Sequence, residues 1–216
     1  MLAGIDPNYL QLLWRGINHE IRLEQVVWGG VKALTGIPSL DFPKHIAAVK
    51  ASFMTDKELV FGIAINGDVR AYPLRFMNWH EMFSDKLGGK YVTLAYYTLC
   101  ASGILFNLTV KGRKEPFKFG SSGLLCRSNK LLYDHENKSL WNQFTGRPVV
   151  GKLTRNGIEL KGPARCNGLW GREEETTSEH ESFVDGHGLR SSVSTGCGVR
   201  RVLHESEFDV SCRDRR

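Results

Sequence analysis

The chain has 216 residues, 41% apolar and 24% charged, which is enough apolar material for a real core and too much for a chain disordered throughout. The formal charge is +6, but no run of Lys and Arg is long enough to form a basic arm, so nucleic acid is not an expected partner. No stretch approaches the ~20 apolar residues of a membrane span, residues 1–13 lack the basic start of an export signal, and five cysteines at unrelated spacings do not make a disulfide framework.

In chain order, residues 9–14 and 23–28 are short segments of helical character, and residues 36–43, opening on Gly36-Ile37-Pro38, read as extended. Residues 60–65 are a β-rich apolar run, followed by Asn66-Gly67 and a second run at 69–74. An Asn-Gly pair between two such runs predicts a hairpin, because both turn positions take positive φ. Residues 75–85 predict a helix, with Phe76, Trp79, His80 and Phe83 at i, i+3, i+4 and i+7 on one face, ended by Gly88-Gly89. Residues 91–96 and 104–110 read as strands around a loop at 98–103. Lys111-Gly112 turns into 117–119, and 131–133, 140–144 and 148–153 are further short strands. Gly120, Ser121, Ser122 and Gly123 make 119–125 a tight turn between strands. Its backbone N–H groups could face an anion, but the spacing and the following Lys-Ser/Thr of a phosphate loop are absent. Short strands joined by glycine turns around one central helix predict an α+β domain, mainly antiparallel sheet.

Four residues are candidates for chemistry. On the predicted helix His80 points inward, as a metal ligand, a general base or a core histidine with a satisfied hydrogen bond, and Glu81 follows it. Cys100 lies in the 98–103 loop, either as a nucleophile or single metal ligand, or as a buried free thiol. Asp134 could reach the same pocket, or cap a turn. Trp141 and Gln143 alternate about Asn142 and face one side of a strand, Trp141 as core. If the four converge, the reading is a small-ligand or divalent-metal site, with His80 and Cys100 as the metal ligands. If they do not, it is a non-catalytic structural or protein-interaction module in which Trp79, His80 and Trp141 build the core. Whether the protein is an enzyme stays open.

Seven ordered segments together resemble the bacterial and archaeal family called domain of unknown function 3179. They are Gly36-Ile37-Pro38-Ser39-Leu40, Arg70-Ala71-Tyr72-Pro73-Leu74, Asn78-Trp79-His80-Glu81-Met82, Leu99-Cys100-Ala101-Ser102-Gly103, Phe119-Gly120-Ser121-Ser122-Gly123-Leu124-Leu125, Ser128-Asn129-Lys130-Leu131-Leu132-Tyr133-Asp134, and Ser139-Leu140-Trp141-Asn142-Gln143-Phe144-Thr145-Gly146. The resemblance runs over about residues 23–161, leaving 1–22 as an N-terminal segment, and it implies no named reaction. Two departures stand out. Where the family carries a Cys-x-x-Cys pair followed by glycine, this chain has Tyr97, Cys100 and Ala101, so the local dithiol cannot form. Where the family has Tyr-Asp-Arg, this chain has Tyr133-Asp134-His135. As written the chain would stay in the cytoplasm, whereas relatives often carry export signals, which leaves its compartment open.

From Gly162 onward there is no Lys, Ile, Tyr, Met or Gln, while Arg, Ser, Gly and Glu abound. The resemblance implies a continuation through His-Pro-Asp/Asn-Thr, Ser-Met-Asp-Thr-Gly-like and Ser-Pro-Asn-Leu-Met-like stretches. Reading the codons one nucleotide later permits each in order, at Thr177 to Glu181, Phe183 to Leu189 and His204 to Val210. For example, His187 is encoded by CA-pyrimidine and Gly188 by a codon beginning with G, so the shifted triplet is ATG or ACG, Met or Thr. The expectation is a frameshifted tail over 162–216, largely unstructured and unable to form the family's C-terminal structure; a genuine Arg/Ser-rich tail is the other reading.

Overall fold

The computed structural model describes residues 16–55 and 58–162, and the backbone of two short strands beyond them. Three sheets carry the fold. The first has the order β1 (Val26–Trp28), β9 (Phe119–Cys126), β10 (Asn129–Asp134), β11 (Leu140–Asn142), β12 (Pro148–Val150), antiparallel throughout. The second has the order β13 (Cys166–Leu169), β4 (Leu59–Ile65), β5 (Asp68–Pro73), β14 (Arg201–Leu203), β3 (His45–Ala47), with β14 parallel to β5. The third has the order β2 (Leu40–Asp41), β6 (Met82–Leu87), β7 (Lys90–Tyr97), β8 (Ser102–Asn107), with β2 parallel to β6. One α-helix, α1 (Leu74–His80), occurs among the described residues. None there is long and apolar enough to cross a membrane.

The third sheet is the middle layer, as the alternation along its strands shows. Phe83, Leu87, Val92 and Leu94 pack with Phe61, Ile63 and Tyr72 of the second sheet, and α1 adds Phe76 and Met77. The opposite face, with Met82, Ala95 and Phe106, packs on Phe119, Leu132 and Trp141 of the first sheet. A buried ionic group also spans the first of these interfaces. Asp85 of β6 accepts hydrogen bonds from the Arg70 guanidinium and the Tyr72 hydroxyl of β5, both at 2.7 Å, and the His45 ring lies 3.5 Å away. Burial, with Asp85 alongside, pushes the Tyr72 hydroxyl well above the usual tyrosine range.

The Asn66-Gly67 hairpin forms as predicted, with φ of +49° and +78° and the β4–β5 register running from Val60↔Pro73 to Ile65↔Asp68. Other expectations are corrected. The mainly antiparallel sheet is as expected, but with one seven-residue helix among the described residues α+β describes the architecture only loosely. The helix ends at His80 rather than 85, because Glu81 takes a left-handed conformation, φ +56°, and its N–H closes the last turn on Met77. Residues 82–87 are a strand buried on both faces, which hides the two-residue period and leaves an accidental helical spacing. Trp79 is 44% exposed rather than inward, whereas His80 and Trp141 are buried. Residues 23–28 divide into a 3-10 turn at Leu23–Gln25 and β1. Residues 119–125 are not a turn but most of β9. Their small side chains make room for neighbours: a Cβ at Gly120 would come within 2.5 Å of the Tyr133 ring.

The helical segment expected at 9–14 lies outside the described residues. So does most of the 162–216 tail, where only β13 and β14 are described; they occupy the outer edges of the β4–β5 hairpin.

Candidate functional site

Glu81 is aimed by the end of α1. Its left-handed backbone costs a non-glycine residue about 1–2 kcal/mol, and it turns the side chain into the layer between the third and first sheets. There Lys130 of β10 donates to the Glu81 carboxylate at 2.9 Å, to the Tyr96 carbonyl at 2.9 Å and to the Glu81 carbonyl at 3.3 Å. Thr98 Oγ1 and Ser121 Oγ donate to the same carboxylate, at 3.2 and 3.4 Å. Both charged side chains are buried. Burial lowers the Lys130 ammonium from the usual lysine range, and the neighbouring Glu81 and Cys100 oppose it.

Cys100 is exposed at the β7–β8 turn, beside that pair. Its Sγ lies 3.0 Å from Ser102 Oγ and donates to Asn129 Oδ1 at 3.7 Å. Burial raises the Tyr96 and Tyr97 hydroxyls, with Glu81 and Cys100 adding to the effect in both. Tyr97, at the position of the family's first cysteine, is itself buried at the end of β7. Ala101, at the position of the family's glycine, has φ +53°, the region where glycine is unstrained.

Asn129 connects this cluster to a cleft of about 650 Å³, lined also by Glu20, Arg22, Gln25, Arg127, Asn142 and Phe144. Asn129 is only 6% exposed, and its Nδ2 has no acceptor among the described residues. Behind it Gln143, fully buried, donates to the Ala95 and Ser102 carbonyls, and its Oε1 likewise has no partner there.

Glu81 and Cys100 are therefore neighbours around Lys130, while the other two candidates are engaged elsewhere. His80 is buried on α1, with Nδ1 2.9 Å from the Pro38 carbonyl, and it fastens the segment leading into β2. Asp134 is fully buried and caps the β10–β11 turn, accepting from the Asn137 and Ser139 N–H groups and from Trp141 Nε1. Neither lines the cleft. Among the described residues no group of three or more His, Cys, Asp and Glu side chains could hold a metal ion, so the divalent-metal expectation at His80 and Cys100 gains no support.

Sequence reasoning missed Lys130 and Asn129. A signal was present: Lys130 shares strand parity with Leu132 and Asp134, which places a lysine on an inward face. Arg22 and Arg127 carried no signal, since only the fold brings them to one cleft.

These features define a β-rich protein with an exposed thiol, backed by a buried ion pair and hydrogen-bonded to Asn129, a residue that lines a cleft. The chain belongs to the family described as Protein of unknown function (DUF3179), whose model matches residues 35–179. That range begins after residue 23 and runs past 161, across the point where the reading frame is expected to break. No curated protein and no solved structure matches the chain.

Proposed function

We propose that this chain is a small-ligand-binding protein whose site is the cleft at the β9–β10 turn, with Cys100 as its reactive group. The observation that carries this reading is Asn129. One side chain lines the cleft, accepts the Cys100 thiol hydrogen bond and keeps a buried amide N–H that has no acceptor among the described residues. A buried donor left unmade costs about 1–3 kcal/mol, and a bound acceptor would remove that cost. The cleft volume also falls within the range usual for small-molecule sites. Lys130 is a positioning residue: it holds Glu81 and the Tyr96 carbonyl, and so fixes the strand end from which the 98–101 turn departs.

Alkylation of the native full chain with the neutral reagent iodoacetamide, with the modified peptide identified by mass spectrometry, tests this. Cys100 should be modified well before the buried Cys126, and Asn129→Leu should change the Cys100 rate at least tenfold. A Cys100 rate equal to that of glutathione and indifferent to Asn129→Leu would overturn the proposal.

The second reading, a structural or protein-interaction module, draws support from His80 and Asp134, whose polar atoms serve backbone segments of the fold.

A further inference from the structure

We infer that the ligand of this cleft carries an oxyanion, a carboxylate or a phosphate, seated between Arg22, Arg127 and the Asn129 amide; this rests on the cleft being the binding site. The lining is rich in donors and poor in acceptors. Its ionised side chains among the described residues are Arg22, Arg127 and Glu20, a net charge of +1. Arg127 uses only Nε in a described contact, on Gln25 Oε1 at 3.2 Å, so the remaining donors of its fork are uncommitted by that bond. Asn142 Oδ1 accepts the Phe144 and Thr145 N–H groups, which fixes the carboxamide and leaves its Nδ2 end over.

The Asn129 Nδ2 is the independent pointer, since it is buried and has no acceptor among the described residues. A cationic ligand would meet two like charges and would leave that donor unmade. A purely apolar ligand would pack on Ile21, Cys126, Phe144 and the side-chain stems of the lining, but it would leave the guanidinium and amide donors without acceptors. An oxyanion supplies acceptors to all of them, and a guanidinium fork can receive it in bidentate fashion. Cys100 Sγ lies across the Asn129 carboxamide from that group, donating to Oδ1 at 3.7 Å, so a charge held in the cleft acts on the thiol through one side chain.

Two measurements on the full chain test this at low, constant ionic strength. The first is calorimetric titration with inorganic phosphate and, separately, with acetate. Saturable binding of either is expected, and Arg22→Gln/Arg127→Gln should weaken it at least tenfold; whichever anion binds more tightly identifies the headgroup chemistry. The second is the Cys100 alkylation rate by iodoacetate divided by that by iodoacetamide, normalised to the same ratio for glutathione. In each reaction an S–C bond forms as the C–I bond breaks, iodide leaves with the bonding pair, and the thiol proton goes to solvent. The normalised ratio should exceed ten, and it should fall toward one with added phosphate or in the double variant. No binding of either anion together with a ratio of one overturns the inference, even if iodoacetamide modifies Cys100 as the proposed function requires. Anion binding with an inert Cys100 does the reverse: it keeps the anion site and removes the reactive thiol.

Discussion

Replacing Lys130 by Met separates the physical roles of the buried pair. Methionine keeps a similar unbranched stem, so the change chiefly removes the ammonium and its bonds to the Glu81 carboxylate, the Glu81 carbonyl and the Tyr96 carbonyl. The carboxylate then stays buried with only the Thr98 and Ser121 hydroxyls. Breaking a buried pair by removing one partner costs about 3–5 kcal/mol, mostly because a charge is left uncompensated. Against a domain stability of roughly 5–15 kcal/mol that is a large share. In urea, with a slope of about 2 kcal/mol/M, the midpoint should fall by roughly 1.5–2.5 M. Adding Glu81→Gln should recover part of the loss, since the stranded charge goes with it, so the two substitutions are strongly non-additive.

The pH dependence has a definite sign. Burial sets the folded Lys130 below its unfolded value of 10.5. The unfolded chain therefore binds more protons between those two values, and stability rises with pH across that window. The wild type should gain on Lys130→Met as the pH climbs toward 10.5, where the cost of keeping a buried ammonium charged is relieved. A midpoint change under about 0.5 M, or additive single and double variants, would show that the pair does not hold the two sheets as described.

Ala101→Gly should stabilise the fold by about 0.5–1 kcal/mol, read as a rise in the urea midpoint, because the left-handed strain at φ +53° outweighs the entropy glycine loses. Asp134→Ala should cost on the order of 3 kcal/mol and alter tryptophan fluorescence, because Trp141 Nε1 loses its acceptor in the core. His135 is held below the usual histidine range by burial, then by Lys118 and Lys138, so its folded value lies under the unfolded one. Stability should fall as the pH drops through 6.5 toward the folded value, and His135→Asn should flatten that limb of the unfolding curve. The nucleotide sequence of the gene should show a one-base shift near codons 160–166 restoring Ser-Met-Asp-Thr-Gly and Ser-Pro-Asn-Leu-Met in one frame; failure to restore both disproves the frameshift.

Local chemistry was legible in the sequence, and pairing across distance was not. The Asn66-Gly67 turn and the flanking β4 and β5 runs follow from residue types within a few positions. Strands buried on both faces were harder. β6 is buried on both faces and borrowed a helical spacing, while β9 carries Gly and Ser where Tyr133 lies over Gly120. The same limit governs the site. Glu81 and Cys100 could be singled out as residue types, but the partner that joins them, Lys130, is 49 positions from Glu81 and belongs to another sheet. His80 and Asp134 were singled out on the same grounds, and only the contacts with Pro38 and the 137–139 turn reveal what they do.

The placement of β13 and β14 has a consequence for biosynthesis. The β4–β5 hairpin ends at Pro73, whereas the strands that cover its two edges begin at Cys166 and Arg201, 93 and 128 residues later (166 − 73 and 201 − 73). At a translation rate of about 5–20 residues per second, the hairpin waits from roughly 5 s to roughly 25 s with unpaired backbone on both sides. Open strand edges recruit other chains, and the hairpin is apolar enough to make that recruitment productive. During that interval the hairpin edges are open to other chains, and a chaperone that shields residues 59–73 would act on the nascent chain.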